Sequence, residues 1–295
     1  MWAIVSVFRE AGLPDGALNL LSSEPASAPD IAKALISSPH IKKINFTGST
    51  MVGKIIGKLA SENLKPVVLE LGGKAPAIVW EDADLDLAAK QCALGSFINS
   101  GQVCMCTERI IVHKAVAPEF KKRLIANVDS IFGAKDQGLV LINEGAVRKN
   151  KKLVQDAVQK GAAVLYGDAE LQEKSPTRMR PIILDKVTRD MAIYYGESFG
   201  PSVSLFEVAD ETEALELAND TEYGLTAAIF TKDLQKGLSF ARKIESGAVH
   251  INSMTIHDES ALPHGGAKAS GYGRFNASYG LEEWVRTKTV TFPNL

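Results

Sequence analysis

Apolar and polar positions in the first third of the chain follow two rhythms that alternate at short spacing. MWAIVSVFRE (1–10) carries its apolar residues at helical spacing, which predicts an amphipathic helix ending at the Gly12 to Gly16 turn. ALNLL (17–21) then predicts a strand, residues 28–37 a helix, KKINFTGS (42–49) a strand running into a glycine turn, and residues 50–61 another helix. KPVVLELGG (65–73) is an almost unbroken apolar run, the pattern of a buried parallel strand rather than a half-exposed one. Strand, helix and strand in this order imply a parallel sheet with right-handed crossovers.

The alternation continues. PAIVW (76–80) and RIIV (109–112) predict strands, separated by a helix over 84–98 and a loop around Cys104. Helices are predicted near 116–131 and 145–160, AAVLY (162–166) predicts a strand, and short strands and helices follow to about Asn252. PHGGAKASGYGRF (263–275) is rich in glycine and small residues and predicts a loop, before a helix over 277–285 and an exposed edge strand, TKTVTF (287–292), in want of a partner.

The length, 295 residues, suits about two domains. With 45% hydrophobic and 23% charged residues, the composition excludes a disordered, collagen-like or disulfide-dense chain. A net charge of -2 carries no basic excess, so a nucleic-acid partner is not expected. Cys92, Cys104 and Cys106 cannot form an even disulfide framework and point to a reducing compartment. No apolar stretch reaches the roughly 18 residues that cross a bilayer, and the start has neither a basic region nor a cleavage site of the signal-peptide kind. A cytoplasmic chain with no membrane contact is expected, with the sequons at Asn45, Asn219 and Asn276 unused.

Four short segments carry candidate chemistry. Phe46-Thr47-Gly48-Ser49-Thr50 turns a strand into a helix and leaves free backbone N–H groups at the positive helix end, a setting for a pyrophosphate or a simple packing turn. Leu69-Glu70-Leu71-Gly72-Gly73-Lys74 sets one carboxylate in an apolar strand. Unpaired, it would be desolvated and pushed up toward a general base, whereas the plainer alternative is a salt bridge to Lys74 or a turn to solvent. Gly101-Gln102-Val103-Cys104-Met105-Cys106 places a thiol in a small-residue loop, where neighbouring N–H groups would lower its pKa and make it a nucleophile. Cys106 also raises a Cys-x-Cys metal site, but the five histidines (40, 113, 250, 257, 264) have no metal-ligand spacing, so no metal is expected. Glu197-Ser198-Phe199-Gly200-Pro201 reads by itself as an exposed loop. His250, His257, Asp258 and Glu259 form a polar cluster without a serine in a nucleophile elbow.

Taken in order, LELGGKAP, FINSGQVCMCTE, FTGST and ESFGP resemble the glutamate, cysteine and cofactor motifs of the aldehyde dehydrogenase superfamily. The resemblance implies an α/β fold with a partial Rossmann-type NAD(P)-binding domain and an α/β catalytic domain. It divides the chain into 1–72 (second half of the cofactor domain), 73–272 (catalytic domain) and 273–295 (a helix and an oligomerisation strand through which the chain would form a homo-oligomer). It makes Cys104 the nucleophile that forms a thiohemiacetal and then a thioester, and Glu70 the base that activates water. Gly48, Ser49, Val52, Leu71, Gly72, Glu197 and Phe199 become the positions that hold NAD or NADP. CMCTERIIV and HDESALPHGGAKASGYGRF are similar to the branch that oxidises aromatic aldehydes such as vanillin, salicylaldehyde and benzaldehyde, except that His264 stands where that branch usually has Phe and Cys106 where it has Ser. The chain has no counterpart of the family's KxSE and PWN segments, so the resemblance also implies an N-terminally truncated member. Competing readings are a non-catalytic homologue or fragment that binds full-length subunits, and an acylating enzyme that passes its thioester to coenzyme A.

Overall fold

The computed structural model describes residues 1–133, 138–168, 170 and 173–293. Its centre is a seven-stranded sheet in the order Ala248–Ile251, Thr226–Phe230, Ala75–Val79, Thr107–His113, Ser202–Val208, Ile182–Asp185, Ala163–Tyr166. Neighbours run parallel except for the last strand, which is antiparallel to Ile182–Asp185. Ala75–Val79, Thr107–His113 and Thr226–Phe230 are buried at every position. Burial at every position follows from cover on both faces of the sheet. Successive residues point to opposite faces, so Ile78, Ile111 and Ile229 enter one core while Val79, Ile110 and Phe230 enter the other. The helices Leu85–Phe97 and Ala117–Phe132 close the second face, and Asp84 caps the first of them by accepting from the Asp86 and Leu87 N–H groups.

A smaller sheet joins Ile44–Thr47 in parallel to Val67–Glu70, with Gly271–Tyr272 antiparallel along the other side of Val67–Glu70. The helix Thr50–Glu62 packs on it through a core of Ile36, Ile56, Leu69 and Leu71. Thr47 and Glu70 are paired across the ladder, so both parallel strands end at one place, the end where open α/β sheets bind ligands. From Glu70 the chain crosses through Leu71, Gly72 and Gly73 into Ala75–Val79, which makes LELGGK the bridge between the two sheets. Ser270 ties that bridge down: its carbonyl accepts from the Leu71 N–H at 2.9 Å, and its hydroxyl donates to the Gly72 carbonyl at 2.6 Å.

Three expectations change. Residues 17–21 form no strand, and Leu18, Leu20 and Leu21 are exposed, because no sheet edge lies alongside to complete a ladder. Residues 287–292 likewise form no strand within this chain, with Val290 and Phe292 exposed, and the preceding helix stops at Glu282. The segment 263–275 is more ordered than a loop: it supplies the short strands Ala267–Lys268 and Gly271–Tyr272 and a bridge between His264 and Phe275. The opening helix, Trp2–Glu10, forms as predicted but buries none of its residues. Among the described residues no helix is long and apolar enough to cross a membrane.

Candidate active site

Glu70 and Cys104 lie 34 positions apart in sequence and meet where the small sheet faces the large one, with Cys104 Sγ donating to Glu70 Oε1 at 2.9 Å. The cysteine loop follows a sharp reversal in which Asn99, Ser100 and Gly101 all take positive φ (50°, 62° and 72°). Only glycine takes that region freely, so Asn99 and Ser100 hold local strain beside the thiol. A Cβ at Gly101 would also lie 2.2 Å from the Gly200 carbonyl oxygen, so the cysteine loop and the ESFGP loop approach as closely as backbone allows. Gln102 anchors the loop by donating to the Asn99 and Val140 carbonyls and accepting from the Ile142 N–H.

The charge states differ from those the sequence suggests. Burial does push Glu70 up, but His264, the Cys104 thiol and the Thr47 hydroxyl together outweigh it, and the carboxyl ends below its ordinary range. Glu70 does not pair with Lys74. Cys104 is also reversed: burial, then the hydrogen bond and negative charge of Glu70, push the thiol well above its ordinary value. A thiol that holds its proton more tightly than usual thus faces, across 2.9 Å, a carboxyl that loses its own more readily than usual.

The second wall of the site is built around the two glycines. A Cβ at Gly72 would lie 2.8 Å from the Glu197 carboxylate and one at Gly73 2.2 Å from the Cys104 carbonyl oxygen, so any side chain at either place would displace a site residue. Glu197 Oε1 accepts from the Gly73 N–H at 2.9 Å. Burial, first of all, holds Glu197 above its ordinary carboxylate range. Lys74, the residue that follows, is buried and donates to Glu108 Oε2 at 2.5 Å and to the Gly196 carbonyl at 2.8 Å. Glu108 in turn accepts the Ser198 and Phe199 N–H groups at 2.9 and 3.1 Å. Asn150 donates to the Ser198 carbonyl at 3.1 Å, fixing the same loop from its far side. Phe199 is left with a φ of 49° and a partly exposed ring.

At the small sheet, Ser49 caps the helix Thr50–Glu62 by accepting from the Val52 N–H at 3.4 Å. No acidic residue occupies the first turn. Gly53 lets the helix lie directly on Leu71, whose Cδ2 would be 2.4 Å from a Cβ there. The structure therefore gathers Glu70, Cys104, Leu71, Gly72, Glu197 and Phe199 around one bridge, with Gly48, Ser49 and Val52 at the adjoining strand-to-helix turn. A wide cleft of about 1010 Å³ elsewhere, lined by Lys121, Tyr194 and Glu216 among others, holds none of them. Cys92 and Cys106 are buried free thiols, and among the described residues no group of three or more His, Cys, Asp or Glu could hold a metal ion.

Sequence reasoning missed Glu108, which stands between Thr107 and Arg109 in TERIIVH and so lacks the apolar neighbours that singled out Glu70. The sequence marks His264 only as an unusual residue type, and its place beside Glu70 has no signal along the chain.

A model of the aldehyde dehydrogenase family matches residues 1–290. The chain belongs to the aldehyde dehydrogenase family. Among relatives in this family it is 42% identical to a vanillin dehydrogenase of Pseudomonas fluorescens, over 99% of this chain and 61% of that protein. It is 43% identical to a salicylaldehyde dehydrogenase of Pseudomonas sp. (strain C18), over 98% of this chain and 60% of that one. The crystal structure of a salicylaldehyde dehydrogenase from Pseudomonas putida G7, complexed with salicylaldehyde, superposes with a TM-score of 0.88 at 37% identity, covering 99% of this chain and 62% of that one. As an aldehyde dehydrogenase family chain it thus spans about three fifths of the length of these relatives.

Proposed function

We propose that the chain carries the catalytic machinery of an NAD(P)+-dependent aldehyde dehydrogenase that oxidises an aromatic aldehyde to its carboxylic acid. The observation that carries this reading is the 2.9 Å contact from the Cys104 thiol to the Glu70 carboxylate, held in a cleft by two glycines that admit no side chain. Glu70 takes the thiol proton, and the sulfur attacks the aldehyde carbon to give a thiohemiacetal. That carbon loses its C–H bond with both electrons and becomes a thioester. Glu70 gives that first proton up to solvent, then takes a proton from the water that attacks the thioester and returns it to the departing sulfur, releasing the acid and restoring the thiol. The aromatic class is supported by the vanillin and salicylaldehyde dehydrogenases among the relatives.

The residues present suit a dinucleotide. A helix start with a hydroxyl cap and no acidic first turn suits a pyrophosphate, so Gly48, Ser49 and Val52 would hold it. One oxygen of Glu197 accepts from Gly73, and the other takes no donor among the described residues, leaving it for a ribose hydroxyl. Leu71, Gly72 and the partly exposed Phe199 would border the nicotinamide end. When bound, NAD(P)+ supplies the acceptor for the electron pair of the substrate C–H bond. On this reading residues 1–72 are cofactor domain, 73–272 catalytic domain, and 273–295 a tail whose 287–292 segment pairs with a second copy. The cytoplasm would keep its three thiols reduced.

The test is formation of reduced nicotinamide by the 295-residue chain given NAD+ or NADP+ with benzaldehyde, vanillin or a short aliphatic aldehyde. Turnover with the aromatic aldehydes is expected, falling about 10⁴-fold or more in Cys104→Ser, the scale of losing a covalent nucleophile. Unchanged turnover in that variant, or none from the folded chain, overturns the proposal.

A further inference from the structure

His264 stands at the edge of the cluster, and the loop that carries it is not slack. Its N–H donates to the Phe275 carbonyl at 2.9 Å and its own carbonyl accepts from the Phe275 N–H at 2.7 Å, so the backbone beneath the ring is pinned on both sides. The imidazole is nearly buried, and its Nε2 lies 3.4 Å from Glu70 Oε1. That is the same oxygen that accepts the Cys104 thiol, while Thr47 donates to Oε2 at 3.2 Å. One carboxylate oxygen is thus shared between a thiol that must lose a proton and a ring that can carry a positive charge.

We infer that His264 is a positioning residue for the base: as an imidazolium it balances the Glu70 carboxylate and keeps it ionised, and so ready to take the Cys104 proton inside a buried cleft. The inference rests on the reading of Cys104 and Glu70 as nucleophile and base. Once the proton has moved and left Glu70 again, thiolate and carboxylate would face each other across 2.9 Å, and two like charges that close exclude one another unless a cation stands beside them. Among the described residues, His264 is the titratable cation within ion-pair reach of Glu70. The groups around it favour the charged ring. Glu70 raises its pKa most, burial opposes, Asp258 adds to the rise, and Arg274 works against it, with a net shift upward. His250, from the strand Ala248–Ile251, is pushed down to about 4 by burial first and then by His257 and His264, so it stays neutral and adds no competing charge.

Two measurements on the full chain test this. The five histidines can be followed by NMR through pH, with the His264 signal assigned as the one lost in His264→Gln. It should titrate above an ordinary imidazole and fall by about one pH unit or more in Glu70→Gln. An ordinary titration in the unaltered chain, or one indifferent to Glu70→Gln, overturns the inference even if the His264 variants fold poorly. Alkylation of Cys104 by iodoacetamide, with Cys104→Ser as blank, should show a low-pH limb set by Glu70. That limb should move up by about one pH unit in both His264→Phe and His264→Gln, because neither carries charge. An unmoved limb in both, or a limb restored by Gln alone, would assign the ring to packing or to neutral hydrogen bonding and overturn it. Alkylation needs neither aldehyde nor NAD(P)+, so a shifted limb without dehydrogenase turnover sinks the proposed function and sustains this pairing.

Discussion

Two carboxylates flank the Gly72–Gly73 bridge, and their surroundings drive them in opposite directions. Both are half-buried, yet Glu70, at the end of the small sheet, ends below its ordinary pKa and Glu197, in the ESFGP loop, ends above it. Burial pushes both upward, so burial is not what separates them. Glu70 has His264, a thiol and a hydroxyl aimed at its oxygens. Glu197 is held by one backbone N–H and looks toward a second carboxylate, Glu108, which already occupies Lys74 at 2.5 Å. The neighbours therefore choose the sign. They leave one carboxylate ionised beside the thiol and the other with a hydrogen-bonding oxygen to spare.

The sharpest way to break this contrast is to remove the group that consumes Lys74. Glu108→Gln strands a fully buried ammonium and weakens the hold on the Ser198 and Phe199 N–H groups. A loss of about 3–5 kcal/mol in urea unfolding is expected. A loss under about 1 kcal/mol would mean that the Glu197 wall does not depend on this pair. The Glu70 side should be less demanding: Ser49→Ala removes a long, exposed cap and should cost about 0.5–1 kcal/mol in the same measurement.

The smallest effects should appear as slopes of stability with pH. Glu197 has a folded pKa above its ordinary 4.5, so the stability it contributes is complete below that value and is lost as pH rises through the folded pKa. Glu70 has a folded pKa below 4.5, so its contribution is present above that value and is lost as pH falls through the folded pKa. Glu197→Gln should flatten the decline on the neutral side, and Glu70→Gln the decline on the acid side. Urea midpoints measured across pH that show both variants flattening the same side would erase the distinction between the two walls.

Much of this was legible along the chain. The helices Thr50–Glu62 and Leu85–Phe97 end within one residue of their expected bounds, because helical periodicity and a capping Ser or Asp act within a turn or two of backbone. The buried strands Ala75–Val79 and Thr107–His113 were visible through the strand-like segments PAIVW and RIIV. Glu70 and Cys104 stood out as chemistry in apolar or small-residue surroundings, and the structure brings them together. Strand pairing was less legible: residues 17–21 and 287–292 have strand-like sequences, yet a strand exists only where another edge accepts its hydrogen bonds.

What the sequence by itself determined is the set of elements and the residue types able to do the chemistry. Tertiary structure alone decided which strands found partners, that Lys74 answers to Glu108 rather than to Glu70, and that His264 turns Glu70 downward. The physical reason is range. Periodicity and caps are satisfied by neighbours in sequence, whereas the charge of a buried carboxylate is set by atoms a few ångströms away that lie far along the chain, as Ser270 does when it clasps Gly72 across 198 positions.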